Sequence, residues 1–573
     1  MTAHGWLQIG VVLAVLLALT PLVGGYLVRV YDGSARWAGG LERLLYRLAG
    51  IDPGREQHWT AYGSALLAFS AVATLLTYLI LRLQAVLPLN PAAMASVGPT
   101  QAFETAASFA TNTNWQSYGG ETTMSYLSQM LQLTFQNFVS AAAGMAVAVA
   151  LVRGLARRDR ADGIVGNFWV DLVRSIVYIL LPFSLVLALL FTQQGVIQNV
   201  DAYRTITTLE GGAQTIAMGP VASQEAIKQL GTNGGGFFNA NAAHPFENPT
   251  PWSNLLSLLG LLLIPSAFTV VLGRLTGKPW HGWTVWVVMA ALWAAGVSTA
   301  YVAEARGTPT LAEAGVDLAP SAEQAGGNME GKEVRFGVAA SALYAVSTTA
   351  TSTGSVNSMH DSFTPLGGLV PLLMIELGEV VFGGVGVGLG GMLFFIALAV
   401  FLAGLMIGRT PTYLGKRIGQ REVQVVMLGV LIFPALVLVG SALAVSLPTG
   451  LAGLGNEGAH GLSEVLYAFS STAGNNGSAF AGLSGGSTFY NTAFGLATLF
   501  GRFVPMLSML ALGGFLAEQA GGAGGEAAFP VTGPLFGLLL AGTILLLGAL
   551  TFYPVLALGP IAEHLTMFAD ARN

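Results

Sequence analysis

Apolar runs, each about as long as a bilayer is thick, follow one another along this chain, separated by short polar or glycine-rich stretches. A helix crossing the hydrocarbon core needs about 20 mostly apolar residues. On that measure, spans are predicted at about 6–28, 59–81, 127–152, 168–192, 253–273, 283–303, 366–407, 422–446, 488–516 and 533–556. The seventh run, 366–407, is about twice the length a bilayer needs. Its middle reads "FGGVGVGLGG" (382–391), with six glycines in ten residues, which predicts a helix broken by a loop. The pattern therefore predicts an all-α polytopic membrane protein with about ten transmembrane helices.

Four polar stretches interrupt the oil without being long enough to cross it: "FATNTNWQSYGGE" (109–121), "LGTNGGGFFNAN" (230–241), "STTATSTGSVNSMHD" (347–361) and "SSTAGNNGSAF" (470–480). Anchored at Thr113, Thr232, Thr353 and Gly474, they recur after 119, 121 and 121 residues. Each follows a helix-compatible lead-in: "PTQAFETAASF", "SQEAIKQL", "GVAASALYAV" and "GLSEVLYAF". A fixed period of this kind marks an internal repeat. The predicted unit is span, short re-entrant helix, polar segment, span. A single transmembrane domain, 1–573, then divides into a first extra span with its loop (1–58), pore repeats at 59–152, 168–273, 283–407 and 422–516, and a last extra span with the C-terminus (533–573).

Charge sets the orientation. Arg29, Arg36, Arg43, Arg47 and Arg55 follow the first span; Arg153, Arg157, Arg158 and Arg160 follow the third. Arg274 and Lys278 follow the fifth, and Arg409, Lys416, Arg417 and Arg421 the seventh. Basic loops stay in the cytoplasm, so both termini are predicted outside, and the polar segments lie on the outer side. The loop 517–532 has no basic residue and carries no information on orientation. The N-terminus lacks the basic n-region of a cleaved signal peptide, so its first run is read as a retained span.

Composition agrees: 53% of residues are hydrophobic and 9% charged, against about 25% charged in a typical soluble domain. There is no cysteine, which rules out a disulfide framework, a zinc-thiolate site and an Fe–S cluster. No nucleic-acid partner is expected.

Backbone without regular hydrogen bonding survives at membrane depth only where protein buries it or where it lines a water-filled cavity. Four such stretches on one side can converge and line one. Their Gly and Asn residues tolerate positive φ and can turn carbonyls inward; neighbouring Thr and Ser add hydroxyl oxygens. None of 111–118, 231–238, 350–357 or 472–480 contains Asp, Glu, Lys or Arg. Carboxylate and basic rings serve other ions, whereas uncharged carbonyl rings replace the water shell of K⁺. A monovalent cation is expected, with K⁺ ahead of Na⁺.

At these residues the chain resembles the Kdp family of potassium-binding subunits, which serve potassium-transporting ATPases. "TNTNWQSY", "GTNGGGFFNAN" with "HPFENPT", "MHDSFTPLGG", "GEVVFGGVG", "GLMIGRTP" and "NNGSAFAGL" carry the resemblance, which runs essentially the full length. The resemblance implies membership of a superfamily of K⁺ transporters with four non-identical pore repeats. It implies a non-hydrolytic subunit of a bacterial inner-membrane complex, with K⁺ as the transported ion. Its partners would be a P-type ATPase subunit, a small stabilising subunit and a single-span accessory subunit. The implied filter comprises Thr113, Asn114, Thr232, Asn233, Gly234, Ser352, Thr353, Gly354, Asn475, Asn476 and Gly477. The resemblance implies two departures from the family pattern: a Cys is expected in some relatives where Thr353 stands, and an additional Asn where Gly474 stands. A self-sufficient K⁺ channel or symporter of the same superfamily is the alternative.

The chain has no "DKTG" phosphorylation motif, and "GGNMEGKE" (326–333) fails as a P-loop because Glu333 stands where Ser or Thr should hold Mg²⁺. Glu376, Glu379 and Arg502 fall within predicted spans, where charges are costly and mark function or an ion pair. A gate is expected at Glu379, Gly383, Gly384, Gly386, Gly388, Gly390, Gly391 and Arg502, with the glycine loop obstructing the path inward of the filter. His244 with Glu247 reads as a weak metal site or as loop hydrogen bonding. His360 and Asp361 lie beside the third segment, Asp361 either drawing cations to the outer mouth or simply solvated.

Overall fold

The computed structural model describes residues 1–159, 161–321, 324–519 and 530–570. Arg160 and 520–529, both part of predicted loops, lie outside them. Among the described residues, ten helices are long and apolar enough to cross a membrane. In chain order, with the shorter helices that bear on the site, the elements are α1 (Ala3–Tyr31), α2 (Gly39–Ala49), α3 (Trp59–Leu83), α4 (Pro99–Ala110), α5 (Ser128–Ala156) and α6 (Phe168–Gln193). They continue with α7 (Val221–Leu230), α8 (Pro251–Leu275), α9 (Pro279–Arg306), α10 (Gly337–Ala350), α11 (Pro365–Glu376), α12 (Val387–Met406), α13 (Gln420–Ser446), α14 (Gly458–Gly474), α15 (Thr488–Ala517) and α16 (Pro534–Ala569). Among the described residues, strands form only three two-stranded pairs, all short. The predicted all-α class and the ten spans match this architecture.

The helices start where side chains can satisfy their first N–H groups. Asn167 Oδ1 accepts from Trp169 N at 3.0 Å and Val170 N at 3.3 Å, capping α6. The "ENPTP" stretch ends as the cap of α8: Thr250 and Ser253 form a reciprocal capping box, with Pro251 in the first turn. That placement uses a residue whose missing N–H costs nothing there.

Helix α5 is the deepest span, with residues 139–152 all buried. Its run "SAAAGMAVAVA" is nearly all small side chains, the composition that lets backbones approach closely inside a membrane. At Gly154 a Cβ would fall 2.1 Å from Gly513 O of α15, so the two helices touch backbone to backbone. Polar ties bind the other spans. Thr20 Oγ1 lies 2.5 Å from Ser266 Oγ, which also accepts from Trp286 Nε1 at 2.8 Å, joining α1, α8 and α9. Arg153 NH1 contacts Asp171 Oδ2 at 2.6 Å, with Tyr62 Oη 3.0 Å from the same oxygen, joining α5, α6 and α3. Removing one partner of such a buried pair costs about 3–5 kcal/mol.

The predicted break in the seventh span is present but displaced. Helix α11 ends at Glu376, and 377–386 is irregular before α12 begins at Val387. Gly388, Gly390 and Gly391 therefore sit in the first turns of a helix, not in the loop. Packing explains why they are glycine: a Cβ at Gly390 would meet Met509 Sδ at 2.3 Å, and one at Gly388 would meet Gly383 Cα at 2.4 Å.

The α5–α15 contact yields a prediction. Gly154→Ala should lower the thermal unfolding midpoint of the detergent-purified protein, with a loss of about 1–3 kcal/mol from overpacking. Gly542→Ala in α16, where a Cβ meets nothing within 4 Å, should produce no such drop.

Candidate functional site

Helices α4, α7, α10 and α14 end at four turns of the same kind. A residue with left-handed backbone occurs in each: Asn112 (φ 68°), Thr232 (48°), Ser352 (53°) and Asn475 (64°). The next residue's N–H then reaches back five positions. Thr113 donates to Ser108 O, Asn233 to Lys228 O and Thr353 to Thr348 O, each at 2.9 Å, and Asn476 donates to Ser471 O at 2.8 Å. The four residues so matched lie 120, 120 and 123 positions apart. The sequence anchors at Thr232 and Gly474 were therefore out of step: Thr232 sits one place early in its turn, and Gly474 is the last residue of α14.

The helices also run further than predicted, because "STTA" (347–350) and "SSTAG" (470–474) are helical. Their hydroxyls explain it. Ser347, Thr349 and Thr472 each donate to the carbonyl four residues earlier at 2.7–2.8 Å, so these three side chains are satisfied without leaving the helix.

Side chains close the four segments into a ring. Asn112 Nδ2 donates to Thr232 O at 2.8 Å, and Asn233 Nδ2 returns to Asn112 Oδ1 at 2.8 Å. Gln229 Nε2 donates to Ser355 Oγ at 2.9 Å, joining the second segment to the third. Ser352 Oγ donates to Asn475 O at 3.0 Å, and Asn475 Nδ2 to Thr113 Oγ1 at 2.9 Å, completing the circuit. Asn114, whose own φ is 55°, is held by Asn137 Oδ1 at 2.6 Å.

Inside the ring, backbone meets backbone. A Cβ at Gly234 would fall 2.3 Å from Thr113 O and 2.5 Å from Asn476 O. At Gly477 it would fall 2.1 Å from Thr113 O, and at Gly354 2.1 Å from Asn476 O. The structure thus brings Thr113, Gly234, Gly354, Asn476 and Gly477 together at one constriction, with Asn114, Thr232, Asn233, Ser352, Thr353 and Asn475 forming its wall. All are buried except Gly477, which is half-buried. Helix C-termini aim partial negative charge at the site. An uncharged, oxygen-lined, dehydrated constriction of this kind suits a monovalent cation shedding water.

The irregular stretch 377–386 lies directly against the helix-end side of this ring. Val385 N donates to Thr232 Oγ1 at 2.9 Å, and Gly383 N to Ala350 O at 3.2 Å. A Cβ at Gly386 would fall 2.5 Å from Gly144 O of α5, and one at Gly384 3.3 Å from Ser352 Cβ. Glu379 Oε1 accepts from Asn476 Nδ2 at 2.7 Å. Arg502 does not clasp Glu379; its NH2 donates to Ser140 O at 3.4 Å and faces the same point of α5 as Val385 O. Beside them, a cavity of about 130 Å³ runs from Ser352 and Asn475 past Glu376, Glu379 and Arg502.

Several supporting residues escaped the sequence reading. Lys228 Nζ, buried behind the second segment, pairs with Glu225 Oε2 at 2.5 Å and with Glu247 Oε1. Glu247 Oε2 also accepts from Phe238 N at 3.3 Å. The signal was a Glu and a Lys three apart inside a re-entrant lead-in, where any charge needs a partner. Glu247 is thus a backbone brace, and His244 stacks on Phe238 at 3.9 Å and accepts from Phe246 N at 3.1 Å, which leaves the metal reading without support. His360 Nδ1 bonds Tyr467 Oη at 2.9 Å. Asp361 is not simply solvated: its Oδ1 lies 3.2 Å from His460 Nε2, whose Nδ1 lies 2.8 Å from Glu563.

These observations define a class: a polytopic membrane protein whose four short helices end in an uncharged, oxygen-lined ring. Residues 10–565 match the family described as Potassium-transporting ATPase A subunit, and the chain belongs to that family. It is 56% identical over 573 residues to a potassium-transporting ATPase potassium-binding subunit from Rhodospirillum centenum, covering 99% of both chains. A protein of the same description from Sorangium cellulosum is 57% identical over 581 residues, with 99% of this chain and 100% of that one covered. Among solved structures, the potassium transporter TrkH from Vibrio parahaemolyticus shares the fold, with a TM-score of 0.50 at 15% identity, covering 85% of this chain and 97% of that one.

The cluster of Asp361, His460 and Glu563 gives a pH prediction. Burial alone would lower the His460 imidazole, but its hydrogen bonds to Asp361 and Glu563 outweigh that and raise it to about 10. The protonated form is favoured by folding, so its stabilisation is complete below the ordinary histidine value near 6.5 and is lost as pH rises through about 10. Thermal midpoints measured across that window should fall with pH in the native protein. The fall should be shallower in His460→Gln.

Proposed function

We propose that this chain is the potassium-binding and translocating subunit of an ATP-driven K⁺ uptake complex in the bacterial plasma membrane. The supporting observation is the closed ring of four uncharged segments, with Thr113 and Asn476 carbonyls packed against glycines of neighbouring segments. Four pore repeats, each a span, a re-entrant helix, a polar segment and a span, supply one quarter of the filter apiece. K⁺ exchanges its water shell for Thr113, Asn114, Thr232, Asn233, Gly234, Ser352, Thr353, Gly354, Asn475, Asn476 and Gly477. Family membership favours a pump component over a self-sufficient channel. ATP is hydrolysed by a separate P-type subunit, with a small stabilising subunit and a single-span accessory one completing the complex. Both termini face outward, so ions enter from outside. Co-purification in mild detergent tests the assembly: a partner that hydrolyses ATP on K⁺ addition supports the pump, and K⁺ flux from the isolated chain alone supports the channel.

Gly234→Asp tests the ring. Its Cβ and carboxylate would displace Thr113 O and Asn476 O. Apparent K⁺ affinity should fall roughly tenfold, about 1.4 kcal/mol, and discrimination against Rb⁺ should relax. Unchanged K⁺ dependence of uptake in an assembled complex would remove the ring from the ion path.

The loop 377–386 serves as the gate, with Glu379, Gly383, Gly384 and Gly386 within it and Arg502 at its edge. Gly388, Gly390 and Gly391 anchor it from α12. Deleting 383–386, or Arg502→Ala, should raise ATP-independent K⁺ flux in liposomes while K⁺ binding changes little. Arg502→Lys should leak less than Arg502→Ala. Tight liposomes with all three variants would show that this loop does not hold ions back.

A further inference from the structure

Helix α2 lies between the ends of α1 and α3 and carries two unlike faces. Glu42 and Tyr46 form the face turned to the protein. Arg174 Nε donates to Glu42 Oε1 at 2.9 Å, Tyr46 Oη donates to the same oxygen at 2.7 Å, and Tyr178 Oη donates to Glu42 Oε2 at 2.8 Å. Leu41, Leu44 and Leu48, at helical spacing, point away from that anchor and are 43%, 51% and 76% exposed. Trp37, 63% exposed, precedes them by one further turn. Three leucines and a tryptophan presented on one stripe are costly in water.

Anchoring sets the depth. Trp37 Nε1 donates to Tyr26 Oη at 3.1 Å, and its ring stands edge-on to Tyr178 at 5.3 Å. Tyr26 Oη in turn donates to Tyr178 O at 2.6 Å. Tyr26 lies just over one turn from the end of α1, and Tyr178 in the third turn of α6. Helix α2 therefore rests level with the ends of the spans, where aromatic side chains mark the headgroup layer. Leu17 and Leu22 on α1 are also exposed, so lipid reaches the flank of this corner.

Charge identifies the lipid. Arg29, Arg36, Arg43, Arg47 and Arg55 are all exposed. They outnumber the acids among them: Glu42 is paired with Arg174, which leaves the exposed Asp32 and Asp52 against five arginines. An amphipathic helix with basic residues flanking an apolar stripe lies in the interface and favours anionic lipids.

We propose that α2 is an interfacial helix that seats anionic phospholipid, with Trp37, Leu41, Leu44 and Leu48 in the acyl boundary and Arg36, Arg43 and Arg47 on the phosphates. The chain has no cysteine, so Leu48→Cys supplies a unique thiol once any cysteines of the partner subunits are replaced by serine. The labelled complex is reconstituted in phosphatidylcholine nanodiscs, with or without phosphatidylglycerol. A fluorophore at position 48 should be quenched by spin-labelled lipid and protected from aqueous iodide. Spin-labelled phosphatidylglycerol should quench more strongly than spin-labelled phosphatidylcholine, and Arg43→Gln and Arg47→Gln should each reduce that preference about fivefold. Quenching by iodide would place the stripe in water and overturn the proposal. Shielding from both quenchers would mean that a protein partner covers it, and equal quenching by the two lipids would remove the anionic assignment; either result also overturns it.

Discussion

A helix that ends inside a protein, away from water, leaves its last carbonyls without donors, and here four helices end at the same depth around one axis. Each end is turned by a left-handed residue, so the next N–H can close the final turn. Once that turn is made, the following carbonyls have no partner on their own helix. They can face only one another, across a space too small for side chains. The constriction is thus a consequence of where the helices stop. The ring of side-chain hydrogen bonds keeps the four ends in register, and the small-residue packing of α5 against α15 brings them close enough to meet.

Charges near the constriction stand one layer back from it. Lys228, Glu225 and Glu247 brace the second segment from behind, and Glu379 holds the fourth through Asn476. An isolated buried charge costs several kcal/mol, so each of these groups is tolerable only while its partner stays in place. That cost becomes positional accuracy for backbone that has no regular hydrogen bonding of its own. The interrupted span meets the same ring through two neutral contacts, Val385 N on Thr232 Oγ1 and Gly383 N on Ala350 O, and through Glu379 on Asn476 Nδ2. Moving the loop off the ring therefore strands the Glu379 carboxyl unless it finds another donor. At Glu379 and Phe382 the loop also carries non-glycine residues at positive φ, a strained backbone costing about 1–2 kcal/mol each and held by its surroundings.

Spans and polar segments were legible because hydropathy and residue type act over tens of positions. Registers were not, because they depend on hydrogen bonds that composition does not encode. "STTA" reads as loop by polarity, yet its Ser347 and Thr349 hydroxyls bond back into the helix. "FGGVGVGLGG" reads as one uniform break, yet Gly388, Gly390 and Gly391 are glycine because of Gly383, Met509 and Val380 respectively, residues distant or hidden in the linear pattern. The Thr232 anchor failed by one residue because Thr113 and Thr232 share a type but not a place in the turn. Lys228 was overlooked because its two partners are three and nineteen residues away, and only the nearer one leaves a periodic trace.

The residue choices along each segment follow from two opposed demands. The left-handed position must turn the chain, which glycine does without strain, yet Asn112, Thr232, Ser352 and Asn475 occupy it. Each of those side chains does something glycine cannot. Asn112 reaches Thr232 O, Thr232 receives Val385 N, Ser352 reaches Asn475 O, and Asn475 reaches Thr113 Oγ1. About 1–2 kcal/mol of backbone strain per residue is thus exchanged for a tie to the next segment or to the loop. Two positions on, the demand reverses in three of the four segments. Gly354 and Gly477, and Gly234 in the second segment, face a neighbour's carbonyl at distances no Cβ tolerates, so there the side chain is forbidden and the tie must come from elsewhere. In those three segments the alternation of a tying residue with a bare one lets different sequences close around a single opening.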